Sequence, residues 1–187
     1  MEQEIENILK ILRSGRIILY PTDTIWGIGC DATNSEAVKK IYLIKKRENS
    51  KSMLILIDSI DNLYKYADII PDMAIELIKV SETPLTIIYP KGKNIAPELL
   101  ANDGSIGIRV TNEQFTNKII SKLKFPIVAT SANISNEKLP DSLNEIDKKI
   151  VNSVDYVVKY RQNENISYNP SGIIKFYESG DFKIIRK

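Results

Sequence analysis

The chain has 187 residues, with 26 Lys and Arg against 24 Asp and Glu, one cysteine and no histidine. That length suits one domain of ordinary size, and a composition that is 43% hydrophobic and 27% charged is neither that of a disordered chain nor that of a membrane protein. The absent histidine excludes Ser-His-Asp and Cys-His catalysis, an imidazole base and His-liganded zinc. The lone Cys30 excludes an internal disulfide and cysteine-cluster metal sites.

Chemistry here must therefore use carboxylates, hydroxyls, backbone amides, Lys, Arg or a hard ion such as Mg²⁺. No apolar run approaches the roughly 20 residues of a membrane span. The acidic start, Met1-Glu2-Gln3-Glu4, is unlike a signal peptide, and a cytoplasmic protein without a membrane partner is expected.

In chain order, Ile5, Ile8, Leu9 and Leu12 share a helical face over 2–13, with Gly15 as the stop. Residues 16–20 read as a strand closed by Pro21. The polar turn Thr22-Asp23-Thr24 follows, then Trp26-Gly27-Ile28-Gly29. Ser35 is the expected N-cap of a helix through Ile44 that ends in Lys45-Lys46-Arg47. Strands are expected over 53–57, 84–89, 105–110 and 126–130. Ser59 and Pro71 start two helices, and Phe115, Ile119, Ile120 and Leu123 mark another. The end reads as strands over 154–158, 172–176 and 182–185. The sum is one α/β domain over 1–187 with a mixed sheet.

Two nucleotide motifs fail. The run Gly27-Ile28-Gly29-Cys30-Asp31-Ala32 fits G-x-G-x-x-[GA], but no helix opens within it; small residues in a tight strand or bend are the better reading. Gly92-Lys93 lacks both the upstream glycine and the following Ser or Thr of a P-loop. The sequons at Asn133 and Asn165 read as coincidences without a secretory signal.

Four polar segments sit at apparent element ends: 21–24, 45–51, 105–109 and 130–135. Singly, each has a plain reading as a turn, a solvated helix end favoured by the macrodipole, or a helix cap. Arg109 is harder to dismiss, because a charge in an apolar strand needs a partner or an anionic ligand.

Together these segments resemble the YrdC family. The matching runs are Pro21-Thr22-Asp23-Thr24-Ile25-Trp26-Gly27, Lys45-Lys46-Arg47 to Lys51, Pro84-Leu85-Thr86, Ile108-Arg109, Ser131-Ala132-Asn133-Ile134-Ser135 and Pro170-Ser171-Gly172-Ile173-Ile174. The resemblance implies a twisted mixed sheet with flanking helices around a basic concave cavity. It implies synthesis of threonylcarbamoyl-AMP and pyrophosphate from L-threonine, bicarbonate or CO₂, and ATP with Mg²⁺. Other proteins then transfer the threonylcarbamoyl group to adenosine 37 of tRNA, and some members bind double-stranded RNA.

Carried over residue by residue, the resemblance assigns Thr24, Arg109, Ala129 and Ser171 to threonine. It assigns Lys45, Arg47, Lys51, Ser105, Ser131, Asn133 and Arg186 to ATP. Glu48, Ser52, Leu56 and Gly172 depart from the common pattern. An RNA-binding or ribosome-associated protein that keeps the fold without the synthesis is the alternative; a hydrolase or transferase of another carbamoyl or acyl adenylate is a third.

Overall fold

A computed structural model describes residues 1–48, 52–164 and 170–187. Helix α1 (Glu2–Arg13) leads into the hairpin of β1 (Ile18–Pro21) and β2 (Trp26–Gly29), then α2 (Ser35–Ile44) and β3 (Leu54–Ile57). Helices α3 (Leu63–Tyr66) and α4 (Asp72–Val80) precede β4 (Leu85–Tyr89) and β5 (Ile106–Val110). After α5 (Gln114–Leu123) come β6 (Ile127–Ser131), α6 (Lys148–Val151), β7 (Tyr156–Val157), β8 (Gly172–Phe176) and β9 (Phe182–Arg186).

Among the described residues the strands form one mixed sheet in the order β7-β1-β2-β6-β3-β5-β4-β8-β9. The pairs β1–β7, β3–β5 and β4–β8 are parallel and the others antiparallel.

Period-two alternation divides each strand between two unlike faces. One face carries Leu19, Trp26, Ile28, Ile55, Ile57, Ile87, Ile108 and Val128, and it packs under α2, α3, α4 and α6 in the larger core. The other face carries Ile18, Tyr20, Leu56, Ile127 and Ala129, covered by α1 and α5 through Ile5, Ile8, Leu9, Phe115 and Ile119. That cover stops short of β4, β5 and β8. Beyond it the strands present Gly107, Arg109, Thr86, Ile88 and Ile173, and this uncovered stretch is the floor of a cavity.

The expected helices and strands are present, with local differences. Asn34, not Ser35, caps α2: its side chain accepts from the Ala37 amide at 3.0 Å, while Ser35 Oγ donates to Glu98 at 2.6 Å. Pro71 stands at the cap position before α4 rather than inside its first turn. The expected strand over 154–158 contracts to Tyr156–Val157, because Val154 closes a turn onto Ile150.

The glycines of the failed dinucleotide motif lie within β2. A Cβ on Gly29 would sit 2.6 Å from the Val128 carbonyl oxygen and 2.7 Å from the Tyr20 ring. Because a main-chain atom cannot swing away, Gly29→Ala is expected to destabilise the fold by about 1–3 kcal/mol in chemical denaturation.

Candidate functional site

The cavity has a volume of about 280 Å³. Its walls bring together Thr24, Arg47, Arg109, Ala129, Ser131, Ser171 and Arg186 from six separate stretches of chain, all of them sequence candidates. Three guanidinium groups thus face one space.

The turn between β1 and β2 is rigid for a local reason. Thr22 Oγ1 accepts from the amides of Thr24 at 3.1 Å and Ile25 at 3.2 Å, and donates to the Ile25 carbonyl at 2.7 Å. A threonine hydroxyl here replaces the backbone partner that a tight turn cannot supply. Arg161 Nη1 donates to the Thr22 carbonyl at 3.3 Å and ties the turn to the loop after β7.

Arg109 projects from β5, opposite Leu56 of the parallel neighbour. Its side chain is only 4% exposed and its Nη2 lies 2.8 Å from Asp23 Oδ1. Nη1 approaches Thr24 Oγ1 at 3.4 Å, and Nε has no partner among the described residues. Burial raises the Asp23 carboxyl above its ordinary value, against the pull of Arg109. Across the floor, Thr86 and Ser171 hydroxyls meet at 2.8 Å. Arg186 Nε donates to the Ser171 carbonyl at 2.9 Å, and Arg47 Nη2 to the Ser52 carbonyl at 2.9 Å. Burial and the nearby Arg109 lower the Arg186 pKa, and burial lowers that of Arg47.

Three sequence candidates stand behind the wall. Lys45 is fully buried; its ammonium donates to the Ser131 carbonyl, to the Asn133 carbonyl at 2.7 Å and to Asn133 Oδ1 at 3.3 Å. Asn133 Oδ1 also accepts from Ser131 Oγ at 2.6 Å, and Asn133 Nδ2 donates to the Glu137 carbonyl at 2.7 Å. These residues brace a loop and cap no helix. Ser105 is buried, with its hydroxyl donated to Asp103 at 2.5 Å. Lys51 lies outside the described residues.

Sequence reasoning left out Asp23, Thr86 and Gly107 as site residues. A signal existed for two of them: Thr86 and Gly107 interrupt the apolar alternation of β4 and β5 on the face that also carries Arg109.

A family model described as "Telomere recombination", covering Sua5, YciO and YrdC proteins, matches residues 10–187. The chain belongs to the Sua5/YciO/YrdC family. A Methanocaldococcus jannaschii protein named provisionally as a threonylcarbamoyl-AMP synthase is 39% identical over 84% of this chain and 75% of its own. The threonylcarbamoyl-AMP synthase of Psychromonas ingrahamii is 34% identical over 79% of this chain and 78% of its own. Among solved structures, P. abyssi Sua5 complexed with L-threonine superimposes with a TM-score of 0.80 at 25% identity. It covers 94% of this chain, which in turn spans about half of that Sua5, 52%. No helix among the described residues is long and apolar enough to cross a membrane.

Within this family fold, Lys45 offers a thermodynamic test. Burial, and secondarily the charge of Arg47, bring its pKa down to about 7. The unfolded chain, with an ordinary lysine value of about 10.4, then holds the extra proton across the window between. Stability should therefore rise from pH 7 to pH 10 relative to Lys45→Met, by about 1–3 kcal/mol. Paired urea titrations at the two pH values check this.

Proposed function

We propose that the protein is an L-threonylcarbamoyladenylate synthase. The carrying observation is one cavity in which a buried arginine, beside Thr24 and Ser171, shares space with Arg47 and Arg186, with no nucleophile–base pair among the described residues that line it. The names of the relatives and the threonine complex of Sua5 support the same reading.

In this reaction the threonine amine adds to CO₂, from bicarbonate, to give a carbamate and a proton. A carbamate oxygen attacks the α-phosphorus of ATP, forming the mixed anhydride threonylcarbamoyl-AMP, and the bond to the β-phosphate oxygen breaks to release pyrophosphate. The attacking atom belongs to the substrate, so the protein's task is positioning and charge neutralisation. Arg109 takes the threonine carboxylate, with Thr24, Ser171 and the Ala129 backbone around it. Arg47 and Arg186 meet the triphosphate side, with Ser131 on the same wall.

Lys45 and Asn133 serve that wall from behind. No three His, Cys, Asp or Glu converge among the described residues; Mg²⁺ would be held by ATP oxygens and water, neutralising phosphate charge. The product would pass in the cytoplasm to proteins that modify tRNA. A purely RNA-binding role fits less well, since it needs an exposed basic surface, whereas Arg109 is buried and Arg47 half-buried.

Pure protein given ATP, threonine, bicarbonate and Mg²⁺ is expected to release pyrophosphate, and to stop when threonine or bicarbonate is withheld. Arg109→Ala should lose about 2–5 kcal/mol of threonine binding by calorimetry. Cys30→Ser should keep most activity, because the Cys30 thiol is buried and its pKa is pushed up by that burial. Label from ATP or threonine retained on denatured protein would refute the mechanism.

A second outcome separates phosphate from adenosine contacts. Arg47→Ala should weaken ATP by about 1.5–3 kcal/mol and AMP far less, measured by competitive binding. Equal losses would place Arg47 away from the β- and γ-phosphates.

A further inference from the structure

Arg109 and Asp23 form an ion pair, yet they face different spaces. Arg109 lines the cavity that holds Thr24, Ala129 and Ser171. Asp23 lines a second cavity, of about 310 Å³, on the far side of the pair, with Glu82, Glu113 and Arg161. The carboxylate therefore stands behind the guanidinium as seen from the substrate space, outside the lining of that cavity. Its side chain is 12% exposed, and the turn that carries it is clamped by Thr22 and Arg161.

Arg109 needs such an anchor. An unbranched four-bond side chain has many rotamers; on its face, Leu56 across the parallel pair and Gly107 two residues back offer no acceptor, and the Thr86 hydroxyl is engaged with Ser171 at 2.8 Å. Thr24 Oγ1 is 3.4 Å from Nη1, too long to hold it firmly. Among the described residues, the one short polar contact on the guanidinium is the ion pair with the Asp23 carboxylate at 2.8 Å. With one corner fixed there, the donors that Asp23 leaves over are presented on the cavity side.

We propose that Asp23 is a positioning residue for carboxylate recognition: it fixes the Arg109 guanidinium from behind, so that the remaining donors meet the substrate's carboxylate without a search. The inference deepens the synthase reading and rests on it for the identity of the ligand.

The test uses Asp23→Asn, which keeps the shape and removes the charge, and Asp23→Glu, which keeps the charge and retains a folded protein if the amide does not. Calorimetry should show threonine affinity falling about tenfold or more in Asp23→Asn while ATP affinity stays within about twofold. The amino alcohol in which a hydroxymethyl group replaces the carboxylate should bind both proteins alike. In an Arg109→Lys background, Asp23→Asn should add much less than it does alone, since coupled residues are not additive.

A ligand-free arm reads the anchoring directly: by NMR, the Arg109 Nη protons should be resolved in the wild type and averaged in both Asp23 variants. Unchanged threonine affinity, equal loss of threonine and ATP, or full additivity with Arg109→Lys would overturn the proposal. Unchanged Nη signals in the variants would do so as well. If the wild type binds no threonine but its Nη protons are resolved and lose resolution in the variants, the synthase reading fails and the positioning role stands.

Discussion

A guanidinium buried on a sheet face is costly, and much of the local structure follows from it. Moving a charge out of water costs several kcal/mol per ion even after relaxation, so Arg109 is tolerated only with a countercharge held at close range. That requirement falls on Asp23, and through Asp23 on the turn that bears it. Thr22 closes the turn with its hydroxyl, and Arg161 pins the turn's carbonyl from another loop. Gly107, two residues before Arg109, leaves the adjacent floor open: a Cβ there would fall 3.3 Å from Leu54. Charge, turn and missing side chain serve one geometry.

The site lies where it does because helical cover runs out. Helices α1 and α5 bury the β1, β6 and β3 part of one face with a continuous apolar surface. Past that cover the face opens into the cavity, and Thr86, Gly107 and Arg109 interrupt the apolar pattern there, beside Ile88 and Ile173. On the opposite face the same strands remain apolar, through Ile87, Ile106 and Ile108 under the larger core. Folding stability comes from the second set, and function from the first. Alternation along each strand lets both be chosen independently.

Much of this was legible in the chain. Short β-branched runs between polar turns marked the strands, and the three-four spacing of Ile5, Ile8, Leu9 and Leu12 marked α1, because these patterns depend on neighbours close in sequence. The Asn34 cap was missed because Asn34 and Ser35 are both good caps; the choice was made by Glu98, which takes the serine hydroxyl from far along the chain. The burial of Lys45 was illegible for a similar reason. A lysine at a helix end ordinarily snorkels into solvent, and only the return of the 131–135 loop turns this one inward. The Asp23–Arg109 pair joins residues far apart in sequence, and no local pattern announces it. Seven of the eleven candidate site residues nonetheless line one cavity, because the resemblance already carried the tertiary arrangement that composition lacks.

The inward turn of Lys45 also bears on how the Arg47 side of the cavity is built. The end of α2 leaves carbonyl groups without helical partners. One of them, on Lys45, accepts from the Ser135 amide at 3.0 Å, while the Lys45 ammonium donates back to the carbonyls of Ser131 and Asn133. The exchange runs in both directions and ties the helix end to the 131–135 loop. Arg47 sits two residues beyond Lys45, with its own amide bonded to the Tyr42 carbonyl at 3.0 Å, and Ser131 starts the loop. Two cavity-lining groups from distant segments are thereby set at a fixed separation before any ligand binds. For a reaction whose nucleophile arrives with the substrate, such preset spacing is the part of catalysis a protein without histidine can supply. Lys45 contributes to it from behind: its side-chain nitrogen is turned to the carbonyls of Ser131 and Asn133 and to Asn133 Oδ1, and it acts as a rivet behind the wall on which Arg47 and Ser131 stand.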